Sequence, residues 1–239
     1  RLLFWLKDTA VSWRYPRPSW VAGLMAVVVG ATALYAVAYD RIYTGPHPAT
    51  KASAWLQASV PEGSVLLKEH WEEGIPDTGR YRIQELPLYD PDTISKIQRL
   101  ATSLSQADYL LFYSNRLYGT IPRLPERYPL TTSYYDSLFS GDLGYTLERQ
   151  FTSYPSLPGI ALKDSTFSRP GLPEPEYDGP ESSPLVTLNL GFADESFTVY
   201  DHPKVLALKN TERLGQEQLF SLLTAPVEPE PLCLMLTPQ

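Results

Sequence analysis

The 239-residue chain has little of what most cofactor and metal sites are built from. It holds one cysteine, Cys233, and three histidines, so an internal disulfide and a cysteine-based zinc site are both excluded. No G-x-G-x-x-G segment and no phosphate-binding loop occurs, which removes the common nucleotide fingerprints. We therefore expect no cofactor, no metal and no catalytic residue.

Positive charge is scarce as well. Twenty Lys and Arg stand against 27 Asp and Glu, a formal net charge of −7. Surfaces that bind nucleic acid draw their affinity from clustered Lys and Arg, so we expect no nucleic-acid partner. Glycine is limited to 14 residues whereas proline reaches 23, which indicates stiff loops and disfavours an all-helical bundle.

A run of 22 uncharged residues, 18–39, is the longest apolar feature. About 20 apolar residues in a helix cross a hydrocarbon layer of roughly 30 Å, so this run predicts a single N-terminal transmembrane helix. Trp20 at one end, with Tyr35 and Tyr39 at the other, fits an aromatic belt at the two headgroup levels. A buried core helix and a cleaved signal peptide are the alternatives.

The flanking charges predict the orientation of this helix. Residues 1–17 carry four basic side chains against one acidic, whereas residues 40–239 have a net charge of −10. By the positive-inside rule, 1–17 is a cytoplasmic or interfacial segment and 40–225 is an extracytoplasmic domain, followed by a Pro/Glu-rich tail at 226–239. The expected location is a bacterial cytoplasmic (inner) membrane, with membrane lipid as a partner.

Beyond the span, apolar patterns of helix and strand alternate, which predicts an α/β domain with parallel strands and right-handed crossovers. Strands are predicted at 64–68, 81–86, 109–113 and 145–151, and helices at 50–60, from an Asp92 cap, at 130–140 and at 213–223. Seven prolines within 155–184 predict a Pro-rich loop without regular structure. Residues 197–200 and 205–208 are predicted to form a hairpin.

Two small constellations invite a chemical interpretation. His70 lies beside Glu69, Glu72 and Glu73, which could ligate a metal, but no second histidine stands at ligand spacing. Asp201 and His202 could be part of a nucleophilic triad, yet no G-x-S-x-G elbow accompanies them. A solvated loop and a turn are the favoured interpretations.

The segment 114–145 interleaves arginines and tyrosines with prolines, a composition that is typical of contact surfaces. The alternative is that these side chains cover the domain's own loops. The predicted interaction surface consists of Arg116, Tyr118, Arg123, Arg127, Tyr128, Tyr134 and Tyr135.

Three segments, 52–76, 114–145 and 194–210, resemble the extracytoplasmic C-terminal region of large polytopic membrane proteins of Chloroflexota-type bacteria. These are family 39 (dolichyl-phosphate-mannose-type) glycosyltransferases and the related YYY-type proteins. The resemblance implies a lipid-phosphate-sugar donor for the whole enzyme and a catalytic carboxylate on a loop that has no counterpart in this sequence.

The function expected from this resemblance is that of a membrane-anchored extracytoplasmic domain that is not catalytic on its own. Its partner would be the missing part of a polytopic parent. The alternative is a single-span accessory subunit of a larger respiratory or photosynthetic membrane complex, whose partners would be other membrane-protein chains.

Overall fold

The computed structural model describes residues 18–164, 172, 175, 177 and 184–225. Helix α1 (Pro18–Asp40) covers the apolar run and is followed by a 3-10 turn, Arg41–Thr44. Among the described helices, it is the one that is long enough and apolar enough to cross a membrane. Only 11% of its most apolar 18-residue stretch is buried within the protein. A core helix of the described domain would be mostly buried, so its exposure favours the spanning helix over that alternative. The predicted segment 1–17 lies outside the described residues, as does the tail at 226–239.

The main sheet contains five strands in the order β2-β1-β3-β8-β4. The strands are β1 (Val65–Glu69), β2 (Arg82–Leu86), β3 (Tyr109–Phe112), β4 (Tyr145–Phe151) and β8 (Val205–Asn210). Strands β1, β2 and β3 are parallel, as predicted, whereas β8 runs antiparallel to both β3 and β4. The sheet is therefore mixed, and the prediction of an all-parallel sheet was wrong for its second half.

Helices cover both faces of this sheet because alternate side chains of each strand point to opposite sides. Leu67, Leu110 and Leu208 pack with one set of helices, and Leu66, Leu111 and Ala207 pack with α2 on the other face. The helices are α2 (Pro48–Ser59), α3 (Ile94–Gln106), α4 (Pro129–Phe139), α5 (Glu195–Thr198) and α6 (Gln216–Thr224). The domain is thus mixed α/β, as predicted.

A second, smaller sheet corrects the prediction of an unstructured loop over 155–184. Strands β5 (Ser156–Leu157) and β6 (Ile160–Lys163) lie inside that range, and β7 (Val186–Asn189) follows it. The order is β5-β6-β7, with β6 and β7 parallel. Prolines at 155 and 158 flank the short strand β5, a position that costs no ladder hydrogen bond.

The predicted hairpin around residues 201–204 is not formed. Residues 195–198 are the short helix α5, and only 205–210 is a strand. Asp194 accepts a hydrogen bond from the Ser196 amide at 3.1 Å, which makes it the N-cap of α5. This cap favours the helical turn over the extended conformation that Phe197 and Tyr200 suggested.

Asp92 caps a different helix from the one predicted. The N-cap of α3 is Thr93, whose hydroxyl accepts from the Lys96 amide, whereas the Asp92 carboxylate accepts from the Leu130 and Thr131 amides at the start of α4. The buried Lys96 ammonium lies 2.8 Å from Asp92 Oδ1. One carboxylate thus caps α4 and neutralises a buried cation.

Candidate functional site

A cleft of about 400 Å³ opens where helix α2, the end of β4 and the small sheet meet. Three cationic side chains and several aromatic rings line it. They are Lys51, Arg149 and Lys163, with Trp55, Phe151, Tyr154 and Tyr177. None of the described residues that line the cleft is acidic.

Helix and strand periodicity place four of these side chains. Lys51 and Trp55 are one helical turn apart on α2, so they lie on the same helix face. Arg149 and Phe151 are two residues apart on β4, so they point to the same side of the sheet. The rings of Trp55 and Phe151 are 5.9 Å apart and connect the two elements.

A β-bulge in β4 determines that Arg149 faces the cleft. Leu147 pairs with Leu208, but Arg149 pairs with Ala207, so the register shifts by one residue between them. Ala207 belongs to the sheet face that packs on α2. Without the bulge, Arg149 would lie on the opposite face with Leu147, because side chains alternate strictly.

A second opening of about 450 Å³ adjoins the cleft and shares Lys51, Thr152 and Tyr154 with it. Arg41, the first residue after α1, lines this opening. The two openings together therefore place four cations in one depression that reaches the end of the long apolar helix. We call this depression the basic cleft.

No carboxylate of the described residues neutralises the cations of the basic cleft. Across the described ranges, no ion pair involves Arg41, Lys51, Arg149 or Lys163. The Lys51 ammonium donates to the Thr152 carbonyl at 3.1 Å, and burial lowers the pKa of Lys51. A partly desolvated ammonium gains most from an anionic partner, so the arrangement favours an anion.

A second polar cluster lies at the carboxyl ends of the parallel strands β1 and β3. Glu69 is fully buried and accepts a hydrogen bond from the Tyr135 hydroxyl at 2.7 Å. The Glu72 carboxylate accepts from the amides of Tyr113 and Ser114 at 2.7 and 3.1 Å. Burial raises the pKa of Glu72 to about 7 and, together with the charge of Glu72, raises that of Glu69 well above its usual range.

The cluster of Glu69 and Glu72 is suited to holding a proton rather than a metal. In the part of the chain that the structure describes, no group of three or more His, Cys, Asp and Glu side chains converges as a metal site would require. Glu72 instead fixes the backbone after β3, and Arg116 next to it pairs with Glu195 at 2.9 Å. These contacts connect three loops at the sheet edge.

The predicted interaction surface divides into two groups. Its four tyrosines are buried in the core, whereas the prediction required them to be exposed to a partner. They are Tyr118, Tyr128, Tyr134 and Tyr135. The physical reason is that α4 directs Tyr134 and Tyr135 toward the main sheet, whereas Tyr118 and Tyr128, from the loop before α4, fold back into the same core. Arg123 and Arg127 are exposed, and Arg116 is half-buried against Glu195.

The two residue groups that suggested a metal site and a nucleophilic triad are not brought together by the fold. His70 lies 3.9 Å from Glu85, whereas Glu69 points into the core, since neighbouring residues of a strand face opposite sides. His202 is buried against Asp164 at 3.1 Å, whereas Asp201 accepts from Tyr39 and Tyr43. Asp201 and His202 therefore do not act as one pair.

Sequence reasoning missed the basic cleft. Lys51, Arg149 and Lys163 are isolated cations in an acidic chain, and no local motif connects them. The signal that could have found part of it is the pairing of a cation with an aromatic residue at helical or strand spacing, as in Lys51 with Trp55 and Arg149 with Phe151. Comparison with protein-family models, with curated proteins and with solved structures gives no match for this chain.

Proposed function

We propose that the protein is a membrane-anchored extracytoplasmic domain that binds a phosphate-bearing group at the membrane surface. The observation that carries this proposal is the basic cleft, with its aromatic wall and four cations that pair with no carboxylate among the described residues. Clustered cations recognise phosphate through charge-assisted hydrogen bonds, and aromatic rings add apolar contact area for whatever the phosphate is attached to.

Helix α1 is the proposed anchor. At 1.5 Å per residue, its 23 residues span about 35 Å, enough to cross the hydrocarbon layer. Most of its valine and leucine side chains are exposed, and no described part of the chain covers them. The basic flank at 1–17 supports a cytoplasmic N-terminus in a bacterial inner membrane, which leaves the folded domain outside the cytoplasm.

The position of the basic cleft relative to this anchor supports a ligand in the membrane surface. Arg41 follows the last residue of α1 directly and lines the cleft. If α1 spans the bilayer, Arg41 lies at the level of the lipid headgroups. A phosphate attached to a lipid would then reach the cleft without leaving the bilayer.

This ligand chemistry supports the two roles that the sequence suggested. A non-catalytic domain of a glycosyltransferase-like membrane protein would meet phosphate on a lipid-linked sugar donor. An accessory subunit of a larger membrane complex would meet it on structural lipids. The first role agrees better with the aromatic rings, since they form a wall next to the cations rather than a flat charged surface.

The test is a binding measurement on the full chain in neutral detergent micelles. Short-chain phosphatidic acid, short-chain phosphatidylcholine and inorganic phosphate are titrated separately by calorimetry. We expect phosphatidic acid to bind more tightly than the other two, because it combines an accessible anionic phosphate with an acyl part. Tighter binding of inorganic phosphate would identify a soluble ligand instead.

The variant pair Lys51→Ala with Lys163→Ala removes two cations of the cleft. Hydrogen bonds to charged groups contribute about 1.5 to 3 kcal/mol each, so we expect a loss of affinity of at least about tenfold. The control is Lys68→Ala with Arg82→Ala, which removes the same charge from β1 and β2 at the other edge of the main sheet. Equal losses in both variants would contradict a specific site.

A further inference from the structure

Among the described strands, β7 is an edge strand of the small sheet, and its sequence is uncharged and mostly apolar. The segment 185–190 reads LVTLNL, and all six residues are exposed. Leu188 keeps 49% of its surface exposed and Leu190 54%. Edge strands of water-soluble proteins are normally protected by charges, prolines or a covering element. An exposed edge strand of this composition indicates that the strand lies against an apolar medium or an apolar partner rather than in water.

The two faces of β7 have different neighbours. Thr187 lines the basic cleft. Because side chains alternate along a strand, Val186 and Leu188 point to the opposite face, away from the cleft. That face is directed away from the folded domain, so its apolar side chains have no described protein layer above them.

The carboxyl end of the small sheet lies beside the last turn of α1. The ring of Tyr39 in α1 is 5.5 Å from that of His202, and His202 lies 3.1 Å from Asp164, the residue after β6. The Leu190 amide donates to the carbonyl of Lys163 at 2.8 Å. The residue after β7 is therefore connected to the last turn of α1 through the end of β6 and His202.

The beginning of the small sheet is also close to α1. Strand β5 contacts both α1 and the following 3-10 turn. Leu185, just before β7, lines the same opening as Arg41. Both ends of the small sheet thus approach the end of α1, so the sheet lies beside it rather than projecting into solvent.

We propose that β7 lies in the membrane interface, with Val186, Leu188 and Leu190 in contact with lipid acyl chains. This inference rests on the proposed membrane anchor, because it takes the level of the bilayer from α1. Lipid is the occupant that continuity supports: β5, at the other edge of the same small sheet, contacts α1, and most valine and leucine side chains of α1 are exposed. The small sheet would then form the floor of the basic cleft at the bilayer surface.

The experiment uses the full chain with Cys233→Ser as background and one new cysteine at a time. Val28→Cys reports on the middle of α1, Leu188→Cys on β7, and Ile83→Cys is the control, on the edge strand β2 of the main sheet. Each cysteine carries the fluorophore NBD. The proteins are reconstituted into phosphatidylcholine vesicles with or without nitroxide-labelled lipid.

We expect blue-shifted emission and strong nitroxide quenching at positions 28 and 188, and water-like emission with several-fold weaker quenching at position 83. Quenching at 28 with a water-like, unquenched probe at 188 would overturn the placement of β7 and leave the anchor intact. An unquenched probe at 28 would overturn the anchor and, with it, the placement of β7.

A second labelled position, Leu190→Cys, guards against a local disturbance at 188 and is expected to give the same blue shift and quenching. Protein concentration tests the other occupant of a free strand edge, a second copy of the chain. If the blue shift at 188 grows with protein concentration in detergent and is insensitive to nitroxide lipid, β7 pairs with another chain and the lipid contact is wrong.

Discussion

The Tyr39 hydroxyl, in the last turn of α1, donates a hydrogen bond to Asp201 Oδ2 at 3.1 Å across 162 residues of sequence. Tyr43 donates to the other oxygen of the same carboxylate at 2.5 Å. Asp201 therefore fixes the end of the apolar helix and the following 3-10 turn to the loop before β8. It is one of the residues that connect the proposed anchor with the domain, beside the ring of His202 and strand β5.

Replacing Asp201 with Ala should loosen this junction without unfolding the domain. Loss of two hydrogen bonds is expected to cost about 1 to 2 kcal/mol, since each contributes on the order of 1 kcal/mol. Amide hydrogen exchange over residues 41–44 should accelerate by about tenfold. Asp40→Ala is the control, because Asp40 is exposed and adjoins the same turn. Unchanged exchange in Asp201→Ala would show that other contacts hold the helix.

The buried carboxyls of Glu69 and Glu72 predict a pH-dependent stability. Their pKa values in the folded protein are raised, that of Glu72 to about 7, whereas an unfolded glutamate titrates near pH 4.3. The folded state therefore binds more protons above pH 4.3, and the stability contributed by these groups is lost as pH rises through the folded pKa values. The melting temperature should be lower at pH 8 than at pH 5.

Glu69→Gln keeps an acceptor for the Tyr135 hydroxyl but carries no titrating group. Its stability should match that of the unaltered chain at pH 5 and exceed it at pH 8 by on the order of 1 to 3 kcal/mol. His47, whose pKa is lowered by burial, contributes in the opposite direction, but equally in both proteins. An identical pH dependence of the melting temperatures of the two proteins would contradict the assignment.

Asp92→Ala should be strongly destabilising. It leaves the fully buried Lys96 ammonium without its carboxylate and removes the cap of α4, and breaking a buried pair costs about 3 to 5 kcal/mol. The control is Asp90→Ala, since Asp90 is half-exposed and only pairs with Arg99 at 3.6 Å. Thermal melts of both variants compare the two carboxylates. A loss below 1 kcal/mol in Asp92→Ala would mean that Thr131 and the backbone carbonyls suffice for Lys96.

Of the residues in the predicted contact surface, Arg123 and Arg127 are exposed, so they are the side chains available to contact a partner. Both are exposed, so replacing both with Ala should change the free energy of unfolding by no more than about 0.5 kcal/mol per residue. Co-purification of partner chains from the native membrane should weaken by about 1 to 3 kcal/mol if they are hot spots. Arg80→Ala with Arg99→Ala is the charge-matched control. A lowered melting temperature with unchanged co-purification would assign these arginines a purely structural role.

Local pattern was sufficient for much of the architecture. The apolar run at 18–39 became α1, and β4 spans 145–151 as predicted, because uniform hydrophobicity and period-two alternation are properties of neighbouring residues. Local pattern did not predict the direction of every strand. Strand β8, from the far end of the chain, joins the main sheet antiparallel to its neighbours, and no local pattern encodes which strand it pairs with. The burial of Tyr134 and Tyr135 likewise depends on which face of α4 meets the sheet.

The sequence by itself determined an apolar helix of spanning length, an α/β domain and an acidic overall charge. The tertiary structure alone decided the sites. Lys51 and Lys163 are 112 residues apart, and Arg149 faces them only because a bulge shifts the register of β4 by one residue. Net charge sums over the whole chain, whereas a binding site depends on distances between few side chains, so an acidic protein can hold a basic cleft.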